Sequence, residues 1–208
     1  MKEIKLYLIR HGKTYCNEQR LYYGKSDVNL CEAGVKELIE KKNNIIYPEC
    51  EFYFTSGAKR ANETLEIIYP GVKYKILEKL FEYDFGEFEL KSYEDLKDKK
   101  EYVDWINDDE GHIKCPNGES KFEFKRRVIE GFNELIKYLK KEHITTALGV
   151  THGGSIGIIL ETMYDNSLKF YEWQPKNGEG YELIIQIKDN GEFNIERIQQ
   201  FGVEINKN

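Results

Sequence analysis

A nearly unbroken apolar run, Ile4-Lys5-Leu6-Tyr7-Leu8-Ile9, stops abruptly at Arg10-His11-Gly12. A run of this kind is expected of a central strand covered on both faces, which restricts the chain to layered α/β architectures. The arrangement recurs near the C-terminus, where Leu148-Gly149-Val150-Thr151 runs into His152-Gly153-Gly154 and a second apolar stretch. Between the two, strand-like and helix-like segments alternate. Helices are expected over Glu32 to Asn43, Ala58 to Ile68 and Ser155 to Met163, and strands over Glu51 to Thr55, Val72 to Leu77 and Thr145 to Val150. From Glu119 to Lys141 the apolar residues Phe124, Val128, Phe132, Leu135 and Leu139 recur every three or four positions, which predicts a long amphipathic helix. Tyr181 to Ile187 and Phe193 to Ile198 flank Asp189-Asn190-Gly191 and predict a terminal hairpin. The expectation is one α/β domain over residues 1–208, with helices on both faces of a mainly parallel sheet. Residues 78–118, dense in charge and aromatics, form a lid or insertion.

The 31 basic and 37 acidic residues give a formal net charge of -6. That balance argues against a broad surface for nucleic acid or anionic lipid, so an anion must be held by local groups. There is no run long and apolar enough to cross a membrane and no secretory leader pattern at the N-terminus, so a cytoplasmic protein is expected. Cys16, Cys31, Cys50 and Cys115 are scattered without metal-site spacing and read as free thiols. Oligomeric state is not legible.

In an open parallel sheet, residues at the carboxyl ends of strands share one crevice. His11 and His152 both fall at that edge. Gly12, Gly153 and Gly154 let main chain approach an anion and present N–H groups to it, and Ser155 is placed to start the following helix. Arg60, one turn into the helix after the second strand, joins Arg10 as a planar donor suited to phosphate oxygens, and Asn17 adds a donor from the loop after His11. The chemistry expected is attack by neutral His11 on phosphorus to form a phosphohistidine. Arg10, Arg60 and a protonated His152 would stabilise the equatorial oxygens. Glu82, in Leu80-Phe81-Glu82-Tyr83-Asp84-Phe85-Gly86, is the candidate acid; Asp84, Glu87 and Glu89 lie in the same segment. The scheme needs neither metal nor cofactor. His112 and His143 lie in polar surroundings and read as exposed, and either Arg126 or Arg127 can serve the site.

These residues, with Leu30 to Gly34, Thr55-Ser56 through Thr64, Leu80 to Glu89, Pro116 to Ser120 and Arg127, resemble the histidine phosphatase superfamily in the branch that contains the cofactor-dependent phosphoglycerate mutases. The resemblance implies a three-layer α/β/α sandwich of the phosphoglycerate mutase-like type. It also implies a phosphohistidine at His11, a phosphate pocket of Arg10, Asn17, Arg60, His152 and the Gly153 main chain, and a proton donor at Glu82, with Glu119 near the pocket mouth. Three positions depart from the family pattern: Cys31 stands for a capping threonine, Leu90 for a glycine and Gly157 for an arginine. A short segment between Glu82 and Pro116 favours an open pocket and hydrolysis. The expected function is therefore a phosphomonoester hydrolase acting on a small phosphorylated metabolite. The stretch from Tyr171 to Tyr181 resembles small bacterial members named as α-ribazole phosphatases. The alternatives are a phosphomutase of the phosphoglycerate type and, in another class, a non-catalytic module that binds phosphometabolites or acts as a scaffold.

Overall fold

The computed structural model describes residues 2–44 and 47–201. Its main sheet has six strands in the order β4-β3-β6-β1-β7-β8. The strands are β1 (Lys2–Arg10), β3 (Phe52–Thr55), β4 (Lys75–Ile76), β6 (Thr146–Thr151), β7 (Gly180–Ile187) and β8 (Phe193–Phe201). A two-stranded antiparallel ribbon, β2 (Leu21–Tyr22) with β5 (Lys91–Ser92), stands apart from it. The helices are α1 (Tyr15–Glu18), α2 (Glu32–Asn44), α3 (Lys59–Ile68), α4 (Tyr93–Leu96), α5 (Lys100–Ile106), α6 (Lys121–Lys141) and α7 (Gly153–Met163).

The opening run is central as expected: β1 lies parallel to β6 on one side and antiparallel to β7 on the other. Its side chains divide by parity. Ile4, Leu6 and Leu8 enter the larger core with Phe124, Val128, Phe132 and Leu135 of α6. Tyr7 and Ile9 face the opposite core with Ala61, Leu65 and Ile68 of α3. A strand that must bury both faces cannot alternate polar and apolar residues, which is why the sequence signal is continuous. The result is a three-layer α/β/α sandwich with a mainly parallel sheet.

All five apolar positions expected to line α6 are at most 2% exposed, each contributing about 1.5–3 kcal/mol of transfer free energy. The helix starts two residues later than its apolar pattern suggests. Ser120 caps it through a reciprocal box with Glu123, and Glu119 is left outside to meet Arg127. At the sheet edge, the strand expected over Val72 to Leu77 is only two exposed residues long, Lys75 and Ile76. In β6, Gly149 has a packing reason, since a Cβ there would lie 2.0 Å from the Phe54 ring.

The segment 78–118 is an ordered covering layer. Phe88, Leu96, Tyr102 and Trp105 are buried, and Trp105 Nε1 donates to Tyr83 Oη at 2.8 Å. Pairing of β5 with β2 fixes this layer to the loop that follows α1. Leu90, at the family's glycine position, adopts φ +59 and donates its N–H to Tyr22 O. No described helix is long and apolar enough to cross a membrane.

Candidate active site

His11 follows the last residue of β1, and its N–H donates to Thr151 O at the end of β6. His152, directly after β6, is the N-cap of α7. Parallel pairing of the two strands therefore brings the rings together, with centroids 5.3 Å apart. His11 is 3% exposed and His152 0%.

His11 Nδ1 lies 2.7 Å from Gly12 O. A carbonyl can only accept, so Nδ1 carries the proton and Nε2 keeps its lone pair. Burial, reinforced by the charges of Arg60 and Arg10, holds the His11 imidazole well below the ordinary histidine value. His152 is held low by the same burial and by Arg60, His11, Arg10 and Arg127. Against the expected protonated His152, burial and these cationic neighbours disfavour the charged form of both rings. His152 Nε2 shares a 2.8 Å hydrogen bond with Ser56 Oγ.

Arg10 donates through Nη1 to Pro175 O at 2.9 Å. Arg60 is fully buried, and its Nη1 and Nη2 donate to Ser26 O and Gly24 O at 3.0 and 2.7 Å. Each terminal nitrogen of Arg60 thus gives one of its two hydrogens to main chain, and Nε has no partner. Among the described residues, the buried side-chain nitrogens and oxygens without a hydrogen-bond partner are Arg10 Nε, Arg60 Nε and His152 Nδ1. An unpaired buried polar group costs about 1–3 kcal/mol. All three belong to residues that the sequence nominates for one pocket.

The Glu82 carboxylate receives N–H groups from Gly154 at 2.9 Å and from Tyr83 at 3.0 Å. Gly154 is required here, since a Cβ would lie 2.3 Å from Glu82 Oε1. The glycine expectation divides accordingly. Gly154 N–H serves Glu82, Gly12 N–H donates to Thr64 Oγ1, and Gly153 opens α7 at a point where a Cβ would approach Arg10 Nε to 3.2 Å. Ser155 does not start the helix; its hydroxyl donates to Phe81 O. Asn17 Oδ1 accepts from Thr14 N, Tyr23 Oη and Asn177 Nδ2, so its amide nitrogen is the end left for the cavity that Asn17 lines.

That cavity, of about 900 Å³, is lined by Arg10, His11, Asn17 and Glu82 and by the aromatics Tyr22, Tyr23, Phe85 and Trp105. Arg60 and His152, fully buried, are not part of its lining. Glu82 is distinguished from its neighbours: Asp84 pairs with Lys25, Glu87 is exposed, and Glu89 binds the main chain of residues 24–26. Glu119 does not line the cavity. It forms a fork with Arg127 Nε and Nη2, both at 2.7 Å, while Arg127 also donates to the carbonyls of Lys79, Phe81 and Glu82. Arg126, His112 and His143 are exposed. Gly157 cannot be exchanged for the family's arginine without moving main chain, because a Cβ would sit 2.0 Å from Phe170 O. No cluster of three or more metal-ligating side chains occurs among the described residues.

Sequence reasoning missed Ser56, Tyr23 and Asn177. Ser56 was findable by the strand-end rule, since it directly follows β3. Tyr23 Oη lies 3.4 Å from His11 Nε2, and Asn177 Nδ2 donates to His11 O at 2.9 Å; both come from loops with no periodic signal.

Fold and site together define an α/β protein with two strand-end histidines, side by side, beside a cavity. Residues 6–199 match the model of the histidine phosphatase superfamily, branch 1, and the chain belongs to that family. A protein of Hydrogenobacter thermophilus, provisionally named phosphoserine phosphatase 2, is 29% identical over 75% of this chain and 76% of its own length. The adenosylcobalamin/alpha-ribazole phosphatase of Salmonella typhimurium is 27% identical over 76% of this chain and 78% of its own. In fold, the crystal structure of the alpha-ribazole phosphatase from Shigella flexneri superposes with a TM-score of 0.79 at 24% identity, covering 99% of this chain and 100% of that one.

Proposed function

We propose that this chain hydrolyses phosphomonoesters through a phosphohistidine at His11 Nε2. The observation that carries the reading is the set of three buried nitrogens without partners, Arg10 Nε, Arg60 Nε and His152 Nδ1, near a histidine whose Nε2 keeps its lone pair, with Tyr23 Oη 3.4 Å away. In the first step the Nε2–P bond forms as the ester P–O bond breaks, and Glu82 gives its proton to the departing oxygen. The Gly12 carbonyl holds the Nδ1 proton as charge develops on the ring. Arg10 Nε, Arg60 Nε, His152 Nδ1 and the Asn17 amide donate to the phosphoryl oxygens. In the second step the Glu82 carboxylate takes a proton from water, the water oxygen bonds to phosphorus, and the N–P bond breaks to release phosphate.

The substrate is a small phosphorylated metabolite. The cavity volume and its aromatic lining leave room for a leaving group larger than a glycerate. Together with the relatives named for α-ribazole phosphate, this makes that ester the first candidate. A panel of phosphorylated sugars, glycerates, nucleosides, serine and α-ribazole, ranked by kcat/KM in EDTA, tests the assignment. Turnover is expected without a bisphosphate primer, with phosphate released to water and a burst of acid-labile phosphoenzyme. Full activity of His11→Ala would refute the mechanism.

A further inference from the structure

We infer that Glu89 is a positioning residue that sets Arg60 and the Glu82 segment in register with each other; the inference rests on the anion site proposed above. Its carboxylate accepts the N–H of Gly24 on both oxygens at 2.9 and 3.1 Å, and those of Lys25 and Ser26 at 3.0 and 3.1 Å. The carbonyls of that same short loop, Gly24 O and Ser26 O, hold the two ends of the Arg60 guanidinium. One peptide unit therefore stands directly between the charges. Its Lys25 N–H meets Glu89 and its Gly24 C=O meets Arg60, so carboxylate and guanidinium align and polarise the same dipole.

The carboxylate also accepts from Phe85 N at 3.1 Å, three residues beyond Glu82. The loop and the Glu82 segment touch at backbone level, since a Cβ on Gly24 would lie 1.6 Å from Tyr83 O. Glu89 thus joins the element that aims a phosphate donor to the element that carries the candidate acid. It does not line the cavity holding His11 and faces a small surface hollow with Lys25 and Ser26 instead. Its effect on the site is therefore indirect, and its four hydrogen bonds to the loop that holds Arg60, against one to the Glu82 segment, make Arg60 the principal route.

A double-mutant cycle tests this. Glu89→Gln loses one anionic acceptor and presents an amide N–H₂ to main-chain donors, which releases the loop. Wild type, Glu89→Gln, Arg60→Ala and the double variant are compared by kcat and KM on an aryl phosphate and by calorimetric affinity for inorganic phosphate. Misplacing a catalytic donor by about 1 Å costs about 100-fold, so kcat/KM of Glu89→Gln is expected to fall by that order, chiefly in kcat. In the Arg60→Ala background the same substitution is expected to change it less than about 2-fold. Equal losses in both backgrounds, or wild-type activity in Glu89→Gln, would overturn the inference. Glu89→Asp, which keeps the charge but withdraws it by one methylene, is the second variant should the glutamine protein not fold. If neither folds, Glu89 is a structural staple and the inference falls. A His11→Ala control separates the two levels: if it is inactive while Glu89→Gln matches wild type, only the Glu89 inference fails. If it is fully active the phosphohistidine reading fails, and the phosphate-affinity cycle still decides the link between Glu89 and Arg60.

Discussion

Two neutral imidazoles locked inside the fold make stability depend on pH in a calculable way. Burial and the neighbouring guanidinium groups hold His11 and His152 well below the ordinary histidine value of 6.5. The unfolded chain takes up protons at both positions as the pH drops through that value, while the folded chain does not. Stability is therefore fully present above about pH 7 and falls as the pH falls. For an unfolded value of about 6.5, moving from pH 7.5 to 5.5 costs on the order of 1 kcal/mol per histidine, and roughly twice that for the pair. That is a large part of the 5–15 kcal/mol typical of a folded domain. The carboxylates with lowered values, such as Asp95 and Asp108, start from 3.8 and titrate below this window.

Urea unfolding in phosphate-free buffer at pH 7.5, 6.5 and 5.5 measures the effect, with His11→Asn and His152→Asn as controls. Each single substitution should remove about half of the slope, because asparagine does not titrate. Added phosphate should flatten it, since an anion in the pocket offsets the charge on an imidazolium. A wild-type profile that is flat over this range, or a slope unchanged in both variants, would refute the claim that the folded state keeps these rings neutral.

Two further expectations concern the frame. Arg127→Ala should cost about 2–4 kcal/mol of stability, as it strips the donor from the Glu119 carboxylate and from three carbonyls of the segment 79–82. Arg127→Lys should not restore it in urea unfolding, because an ammonium cannot reproduce the fork. Leu90→Gly should stabilise by up to about 1 kcal/mol. It relieves a left-handed residue at φ +59 that is 45% exposed, while the unfolded-state entropy of glycine offsets part of the gain. Thermal unfolding reads this, and a loss of stability would show that Leu90 packing outweighs its backbone strain.

What the sequence made legible follows one rule: features with a period or a chain-end signature could be read. The parity-independent burial of β1, the apolar stripe of α6 and the two strand-end histidines are of this kind. So is Arg60, one turn beyond β3, because a strand followed by a helix fixes which edge a first-turn residue faces. Contacts made by main chain from irregular segments were not legible. Nothing in the order of residues announces that Gly24 and Ser26 will close the Arg60 fork, that Pro175 will take Arg10, or that Asn177 will brace the carbonyl of His11. The environment that disfavours charge on His152 was illegible for a related reason. A neighbouring phosphate suggested a cation, but the sequence does not reveal that the ring is fully buried beside three guanidinium groups and a second imidazole.

The burial of His152 is informative about how the site is built. A permanent charge there would add a third cation beside Arg10 and Arg60, with the Glu82 carboxylate as an anion lining the pocket, and removing that added charge from water carries a penalty. Arg60 escapes this because two carbonyls solvate it, and Glu89 supplies the opposing charge one peptide unit away. His152 escapes it by staying neutral, with Ser56 on one nitrogen and the other left unpaired. Each of these side chains is thus held by a group outside the cavity, and Arg10 Nε, Arg60 Nε and His152 Nδ1 have no hydrogen-bond partner. Preorganisation of this sort moves the energetic cost from the reaction to the fold, where the cores on both faces of the sheet can absorb it.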